Sequence, residues 1–369
     1  MRNGFDSRLV HMSINDDFKS AFKGALFDSQ KWTYEVLPTG CVPIDLAIVA
    51  GGFGEGRTGE IFGDWSSGKT LILYQWLIET QKRGGKTFLF ESEGGFHSDW
   101  FVALGGIFGT GTDADLLVFP KLKSVEDFFA GCDTIIKVIE STGFDAPVAI
   151  GWDSLAATGT KLLDKKGLEG SHAARRALLI SEGVTRLSAQ IEGTRIAVVN
   201  TNQTKVQMGA KDYDETHTPG GRAWPYMCSV RLEVQFDGGP AGSKILDEDG
   251  EMIGRSIRGV VVKNKLGPPF GKFKFPVYTI AGVKHPIFEG VRTRVGIDCE
   301  EALLEWYLGN KKASFGDDNE HRFMKVAGAG YITLNEDVFG KVKKFRKKDW
   351  LKTLEAYPML LDPKGLVAE

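Results

Sequence analysis

The chain has 369 residues, 42% of them hydrophobic and 25% charged, with a formal net charge of -2. Those values suit an ordinary globular protein with one large domain plus appendages, and they exclude collagen-like, disordered and disulfide-dense classes. A nearly neutral chain has no global attraction to nucleic acid, so any such binding must rest on local basic loops.

The four cysteines, Cys41, Cys132, Cys228 and Cys299, include no C-x-x-C pair. This argues against a zinc site or disulfide framework and for a reducing compartment. No uncharged apolar run reaches the length of a membrane span and no apolar leader follows the N-terminal Arg2 and Arg8, so the expectation is a cytoplasmic protein without a membrane partner.

Residues 1–33 read as a small leader. Within it Asp16 to Leu26 carries acids first and apolar residues at 18, 22, 25 and 26, the pattern of a short amphipathic helix. A helix this short must dock, either on its own core or on a neighbouring subunit. From Val36 a turn leads through Pro38-Thr39-Gly40 into a short apolar helix and then the glycine-rich stretch 51–56.

Gly63-Asp64-Trp65-Ser66-Ser67-Gly68-Lys69-Thr70 then matches the phosphate-binding loop pattern G-x-x-x-x-G-K-[ST] at every position. Gly63 and Gly68 allow turns that aim backbone N–H groups at a phosphate, Lys69 brings a charge to the β- and γ-phosphates, and the Thr70 hydroxyl suits Mg²⁺. The flanks agree: Gly59–Phe62 reads as a buried strand and Leu71–Ile78 as a helix buried nearly all round.

Further strands are expected at 86–91, 147–153, 195–200 and 229–236, with a hairpin-like 256–265, and helices over 124–141 and 173–191. Such alternation means an α/β fold: a mostly parallel sheet flanked by helices, with ligands at the carboxyl ends of its strands. Three of those ends carry chemistry. Asp153 closes an apolar run and would hold Mg²⁺ or its water shell. Glu91-Ser92-Glu93 offers a carboxylate to orient the attacking water. The Asn200-Thr201-Asn202-Gln203 end offers a neutral amide able to sense a γ-phosphate. The polar stretch 204–219 that follows reads as structureless, and a loop of that length in a compact domain is functional or disordered rather than filler.

Taken together these residues resemble the RecA family of DNA recombinases over roughly 36–283. The pieces that carry the resemblance are Pro38-Thr39-Gly40 with Ile44-Asp45-Leu46-Ala47, the phosphate loop with its strand, Glu91-Ser92-Glu93, Trp152-Asp153-Ser154, Asn202-Gln203, Pro219-Gly220-Gly221-Arg222-Ala223, Ser229 to Leu232, and Val262-Lys263-Asn264-Lys265. The resemblance implies a RecA-like core at 34–283, a polymerisation segment at 1–33 and a small C-terminal α/β domain at 284–369.

It also implies roles. Glu93 matches the water-activating glutamate, Asp153 the aspartate near Mg²⁺ and Gln203 the glutamine linking γ-phosphate to DNA binding. Lys263 and Lys265 match a pair that reaches a neighbour's ATP, Trp100 an aromatic on adenine, and Tyr226 an aromatic at the subunit interface. Two DNA-binding loops follow, about 161–172 and 204–219. Their candidate contacts are Lys161, Lys165, Lys166, Ser171 and His172, with Arg175 and Arg176 just beyond, and then Lys205, Met208, Gly209, Lys211, Gly220, Gly221 and Arg222.

The sequence departs from the family at Asp64-Trp65, where Pro-Glu is usual, at Ala173, and in the acids at 212, 214 and 215. The implied protein is an ATP- and Mg²⁺-dependent ATPase that forms helical filaments on single-stranded DNA, pairs it with duplex DNA and exchanges strands. It would be a bacterial or a phage-encoded UvsX-like member. A helicase-type motor on the same core and an accessory recombinase paralogue are the alternatives. The basic run 341–350, with interleaved aromatics, reads either as a solvated face or as a contact for duplex DNA.

Overall fold

The computed structural model describes residues 35–161, 172–206, 216–309, 324–326, 331–335 and 344–361. The N-terminal leader and its amphipathic segment lie outside these residues. So do Lys165, Lys166, Ser171, Met208, Gly209 and Lys211.

Residues from Val36 onward form one compact unit built on a large sheet. In chain order its strands are β1 (Thr58–Gly63), β2 (Lys86–Glu91), β3 (Leu116–Phe119), β4 (Val148–Asp153), β5 (Ile196–Gln203), β6 (Val230–Phe236), β7 (Lys244–Leu246), β8 (Met252–Asn264), β9 (Lys272–Tyr278) and β10 (Gly296–Ile297). The spatial order is β10-β9-β8-β6-β1-β5-β4-β2-β3, with β7 on β8. From β6 to β3 every pairing is parallel, while β8, β9 and β10 extend the sheet antiparallel.

Among the described residues, apart from the single turn Gly239–Gly242, the α-helices are α1 (Val42–Ile48), α2 (Lys69–Lys82), α3 (Ser98–Ala103), α4 (Val125–Thr142), α5 (His172–Ile191), α6 (Ala223–Met227), α7 (Cys299–Gly309) and α8 (Trp350–Ala356). Both sheet faces are covered, and the strands show why they read as continuous apolar runs. Successive side chains of a strand point to opposite faces. Leu89, Ala149, Ala197 and Val199 accordingly join the core under α1 and α2, while Phe88, Phe90, Val148, Ile150, Trp152, Ile196 and Val198 join the core under α4 and α5. In the second core the Phe128 ring stacks on Trp152 at 3.9 Å, and Trp224 meets Trp152 edge-on at 5.4 Å.

Local signals set the helix ends. Ser124 caps α4 by accepting the Asp127 N–H at 3.1 Å while its hydroxyl donates to the Asp127 carboxylate, and Gly143, with φ of 63°, ends that helix. Near the other end of the chain α7, α8 and three short antiparallel strands, 324–326, 331–334 and 344–346, enclose a separate apolar cluster that includes Leu303, Tyr307, Phe345 and Trp350. The aromatics at 345 and 350 therefore face inward, while Lys347 and Lys348 pair with Glu305 and Glu289. The described part of the basic run is a solvated, paired face over a core.

Gly183 on α5 packs against the Phe129 ring on α4. A Cβ at 183 would lie 2.1 Å from the Phe129 ring. Glycine to alanine ordinarily stabilises a helix interior by about 1 kcal/mol. Here overpacking against a buried ring reverses the sign, and Gly183→Ala is expected to destabilise by about 1–3 kcal/mol in chemical denaturation.

Candidate functional site

Strand pairing brings the candidate groups together before any side chain is considered. Gly63 at the end of β1 lies opposite Gln203 at the end of β5, and Glu91 at the end of β2 lies opposite Asp153 at the end of β4. All four carboxyl ends open at the N-terminus of α2.

The loop between β1 and α2 needs its glycines. Gly63 has φ of 155°, and a Cβ there would sit 2.0 Å from the Val234 carbonyl oxygen; Gly68, at φ of 87°, occupies the N-cap of α2. No side chain caps that helix end, so the first-turn N–H groups and the positive end of the helix dipole face the loop, which is the arrangement an anion requires. The loop is held by its own groups. The Ser67 hydroxyl and the Lys69 ammonium donate to the Asp64 carbonyl at 2.7 and 2.5 Å, and the Thr204 hydroxyl donates to the Asp64 carboxylate at 2.5 Å. Trp65 is 77% exposed and points away from the fold.

Thr70 Oγ1 donates to Asp153 Oδ2 at 2.8 Å, and Thr201 Oγ1 donates to Oδ1 at 2.5 Å. Burial pushes the Asp153 carboxyl up to about 6. The Thr201 and Thr70 hydroxyls oppose the shift, and the nearby Glu93 and Glu91 charges add to it. A buried carboxylate among other carboxylates, with the Thr70 hydroxyl on one of its oxygens, suits a divalent cation by charge and by donor type, so Thr70 and Asp153 fit Mg²⁺. Burial also holds Lys69 below the ordinary lysine value, while Glu93, Asp153 and Asp64 favour its charged form.

The two glutamates of the second strand end separate by role. The Glu91 carboxylate accepts the N–H groups of Glu93, Gly94 and Gly95 at 2.9, 2.8 and 3.2 Å, so it fixes the turn. Glu93 lies on the exposed side of that turn and accepts the Ser154 hydroxyl. The sequence alone does not separate them, because both are acids at one strand end.

Other candidates fall in three places. Lys263 Nζ donates to the carbonyls of Pro225 and Tyr226 at 2.8 and 2.5 Å, and the Lys263 and Lys265 ammonium groups lie 5.4 and 5.7 Å from the centre of the Tyr226 ring. Tyr226 is 74% exposed. Burial, with repulsion from Lys265 next, lowers Lys263 to about 8. The three expected interface residues thus form one patch. Gln203 is exposed beside the phosphate loop, and Trp100 on α3 is half-buried against the core.

The DNA-binding candidates meet the structure unevenly. Arg175 is exposed on α5, but Arg176 turns inward and donates to the carbonyls of Leu155 and Ala156, with its ionisation disfavoured by burial. An outward role for Arg176 does not fit that placement. Lys161 pairs with Asp127 at 2.8 Å. His172 begins α5, Arg222 is exposed at the N-cap of α6, and Gly220 and Gly221 have φ of 104° and 81°. Segment 204–219 is not structureless at its base: Lys205–Val206 pairs with Thr216–His217 as a two-stranded antiparallel ladder.

One imidazole–carboxylate cluster, His285 with Asp298 and Glu301, lies elsewhere. His285 Nδ1 accepts the N–H groups of Ile287 and Phe288 at 3.0 Å each. Nδ1 is thus taken up by two backbone donors, while Nε2 lies 3.1 Å from Asp298 and 3.4 Å from Glu301, so the cluster is tied into the fold through both ring nitrogens.

A buried, mostly parallel sheet with a glycine-framed loop, an uncapped helix N-terminus, a lysine and a hydroxyl–carboxylate pair defines a phosphate-loop nucleoside-triphosphate protein. The comparison with known proteins narrows this. The family description "RecA N-terminal domain" matches residues 9–284, and the chain belongs to the RecA family of DNA recombinases. Proteins named Protein RecA share 28% identity over 308 residues in Herpetosiphon aurantiacus, covering 82% of this chain and 80% of the relative, and 30% over 327 residues in Clostridium novyi, covering 86% and 84%. The Rhodopirellula baltica Protein RecA is 32% identical over 266 residues, 71% of this chain and 64% of that protein. Homologous recombination is the process the chain serves, and RecA-family proteins are DNA-dependent ATPases that use ATP and Mg²⁺. Among the described residues no helix is long and apolar enough to cross a membrane.

The raised Asp153 carboxyl has a consequence for stability. Between about pH 4 and 6 the folded chain holds this proton while the unfolded chain has released it, so the contribution present at low pH is lost as pH rises through about 6. In Mg²⁺-free, nucleotide-free buffer the unfolding free energy of Asp153→Asn is expected to gain on wild type by up to about 3 kcal/mol across that window. Parallel stability curves for the two proteins would contradict the assignment.

Proposed function

We propose that this chain binds ATP·Mg²⁺ at the 63–70 loop, polymerises on single-stranded DNA with the nucleotide shared between adjacent protomers, and pairs and exchanges strands with duplex DNA in the cytoplasm. The observation that carries the reading is the meeting of an uncapped α2 N-terminus, Lys69 and the Thr70–Asp153 contact at 2.8 Å.

Backbone N–H groups of 66–70 would orient the β- and γ-phosphates, with Lys69 offsetting their charge. Thr70 and Asp153 would hold Mg²⁺ or its waters, which when bound neutralises charge on the phosphate oxygens. Glu93, which favours the charged form of Lys69 and accepts the Ser154 hydroxyl, would orient the attacking water and take its proton. Glu91 is already committed to three backbone N–H groups. Gln203 would carry the γ-phosphate state into segment 204–219, and Trp100 would pack on adenine.

The patch of Tyr226, Lys263 and Lys265 would meet the neighbour's nucleotide in trans. Two lysines, rather than an arginine, at this place favour the recombinase over a helicase-type motor. DNA contacts fall to the 161–172 and 204–219 segments, to Arg175 and to Arg222, and the division into 1–33, 34–283 and 284–369 belongs to the same proposal.

In a strand-exchange assay wild type is expected to form ATP-dependent joint molecules, Lys69→Ala to form none, and Glu93→Gln to bind nucleotide and DNA while hydrolysing at least about 100-fold more slowly. Wild type without joint molecules would overturn the reading. Mixing Lys263→Ala with Lys69→Ala subunits tests the shared site: partial recovery of hydrolysis is expected, and no recovery at any ratio would contradict sharing.

A further inference from the structure

A buried polar joint lies next to the phosphate loop and is not used by the chemistry above. Glu60 on β1 is fully buried, and Arg231, its register partner on β6, donates from Nε to Glu60 Oε2 at 2.6 Å. The other carboxylate oxygen, Oε1, accepts the side-chain amide of Asn202 on β5 at 2.8 Å. Asn202, itself fully buried, gives its second amide proton to the Pro219 carbonyl at 3.0 Å, and its Oδ1 accepts the Gln203 N–H at 3.0 Å.

Arg231 reaches further. Its guanidinium stacks 4.5 Å over Phe62, its Nη2 lies 3.5 Å from Thr218 Oγ1, and the residue stands opposite Lys263 in the β6–β8 pairing. One carboxylate thus ties together β1, which enters the phosphate loop, β5 and through Asn202 the end of segment 204–219, and β6, whose antiparallel neighbour β8 carries Lys263. A buried ion pair adds little net stability relative to a packed apolar substitute, so its use here is better explained by what it positions.

We infer that Asn202 and Arg231 are positioning residues that clamp Thr218-Pro219, the return of segment 204–219, to the phosphate-loop strand through Glu60. Thr218-Pro219 and the strand then move as one piece, and DNA held beyond that return is felt at the nucleotide even where Gln203 makes no contact. This deepens the functional reading above and rests on it.

The test uses the full chain as wild type and Asn202→Ala, with three readouts: affinity of the DNA-free protein for a fluorescent ATP analogue, stimulation of hydrolysis by single-stranded DNA, and amide exchange of peptides covering 204–219 with and without a non-hydrolysable analogue. Asn202→Ala is expected to keep nucleotide affinity within about twofold and to lose at least about tenfold of the DNA stimulation. Its segment is expected to exchange quickly with or without nucleotide, where wild type slows on binding. Stimulation that stays close to wild type, or nucleotide affinity that falls in step with stimulation, would overturn the inference.

Should Asn202→Ala not fold, Asn202→Ser, whose hydroxyl cannot reach both acceptors, is read by the same criteria. Failure of both to fold would make Asn202 a stability residue and also overturn it. Wild type lacking DNA stimulation would sink the functional reading instead, while the exchange comparison would still decide the joint.

Discussion

Parallel pairing in one register is the constraint on which the site depends. With Gly63 opposite Gln203 and Glu91 opposite Asp153, four strand ends deliver a loop, an amide and two carboxylates to one helix N-terminus. A slip of one residue would turn every side chain to the other face. The register is held because both faces are buried: Val148, Ile150 and Trp152 can serve only the α4–α5 side, and Ala149 only the α2 side. Packing far from the nucleotide thereby fixes the Thr70–Asp153 contact.

The site carries costs that binding would relieve. Asp153 is buried beside Glu91 and Glu93, and its raised carboxyl records the expense of ionising there. Lys263 is partly buried and repelled by Lys265. Each charged group takes its hydrogen bonds from neutral partners, hydroxyls for Asp153 and backbone carbonyls for Lys263. Groups held at some expense to the free fold are well placed to strengthen interactions that form only on binding.

Much of this was legible in the residues. The phosphate loop combines a fixed spacing with a strand and a helix buried nearly all round, and Asp153 stands at the end of an apolar run, so type and position both show. Leu116–Phe119 was not legible, because it is a four-residue edge strand with Leu117 and Phe119 exposed. Neither was α3, which is too short for a periodic signal.

Arg176 misled for a physical reason. A basic residue just past a candidate DNA loop reads as a phosphate contact, but its guanidinium satisfies the Leu155 and Ala156 carbonyls instead. The 341–350 run reads as a solvated face in the sequence, and what the pattern does not show is that Phe345 and Trp350 fill a core beneath it. Asn202 was visible as a strand-end amide, but its partners Glu60 and Pro219 are distant in sequence and no local pattern links them.

The central claim is that the nucleotide is clasped at a boundary between protomers wound on DNA. Electron microscopy of the protein with single-stranded DNA and a non-hydrolysable ATP analogue tests it most directly. The account predicts extended helical filaments that need both ligands; monomers or closed rings under those conditions would contradict it.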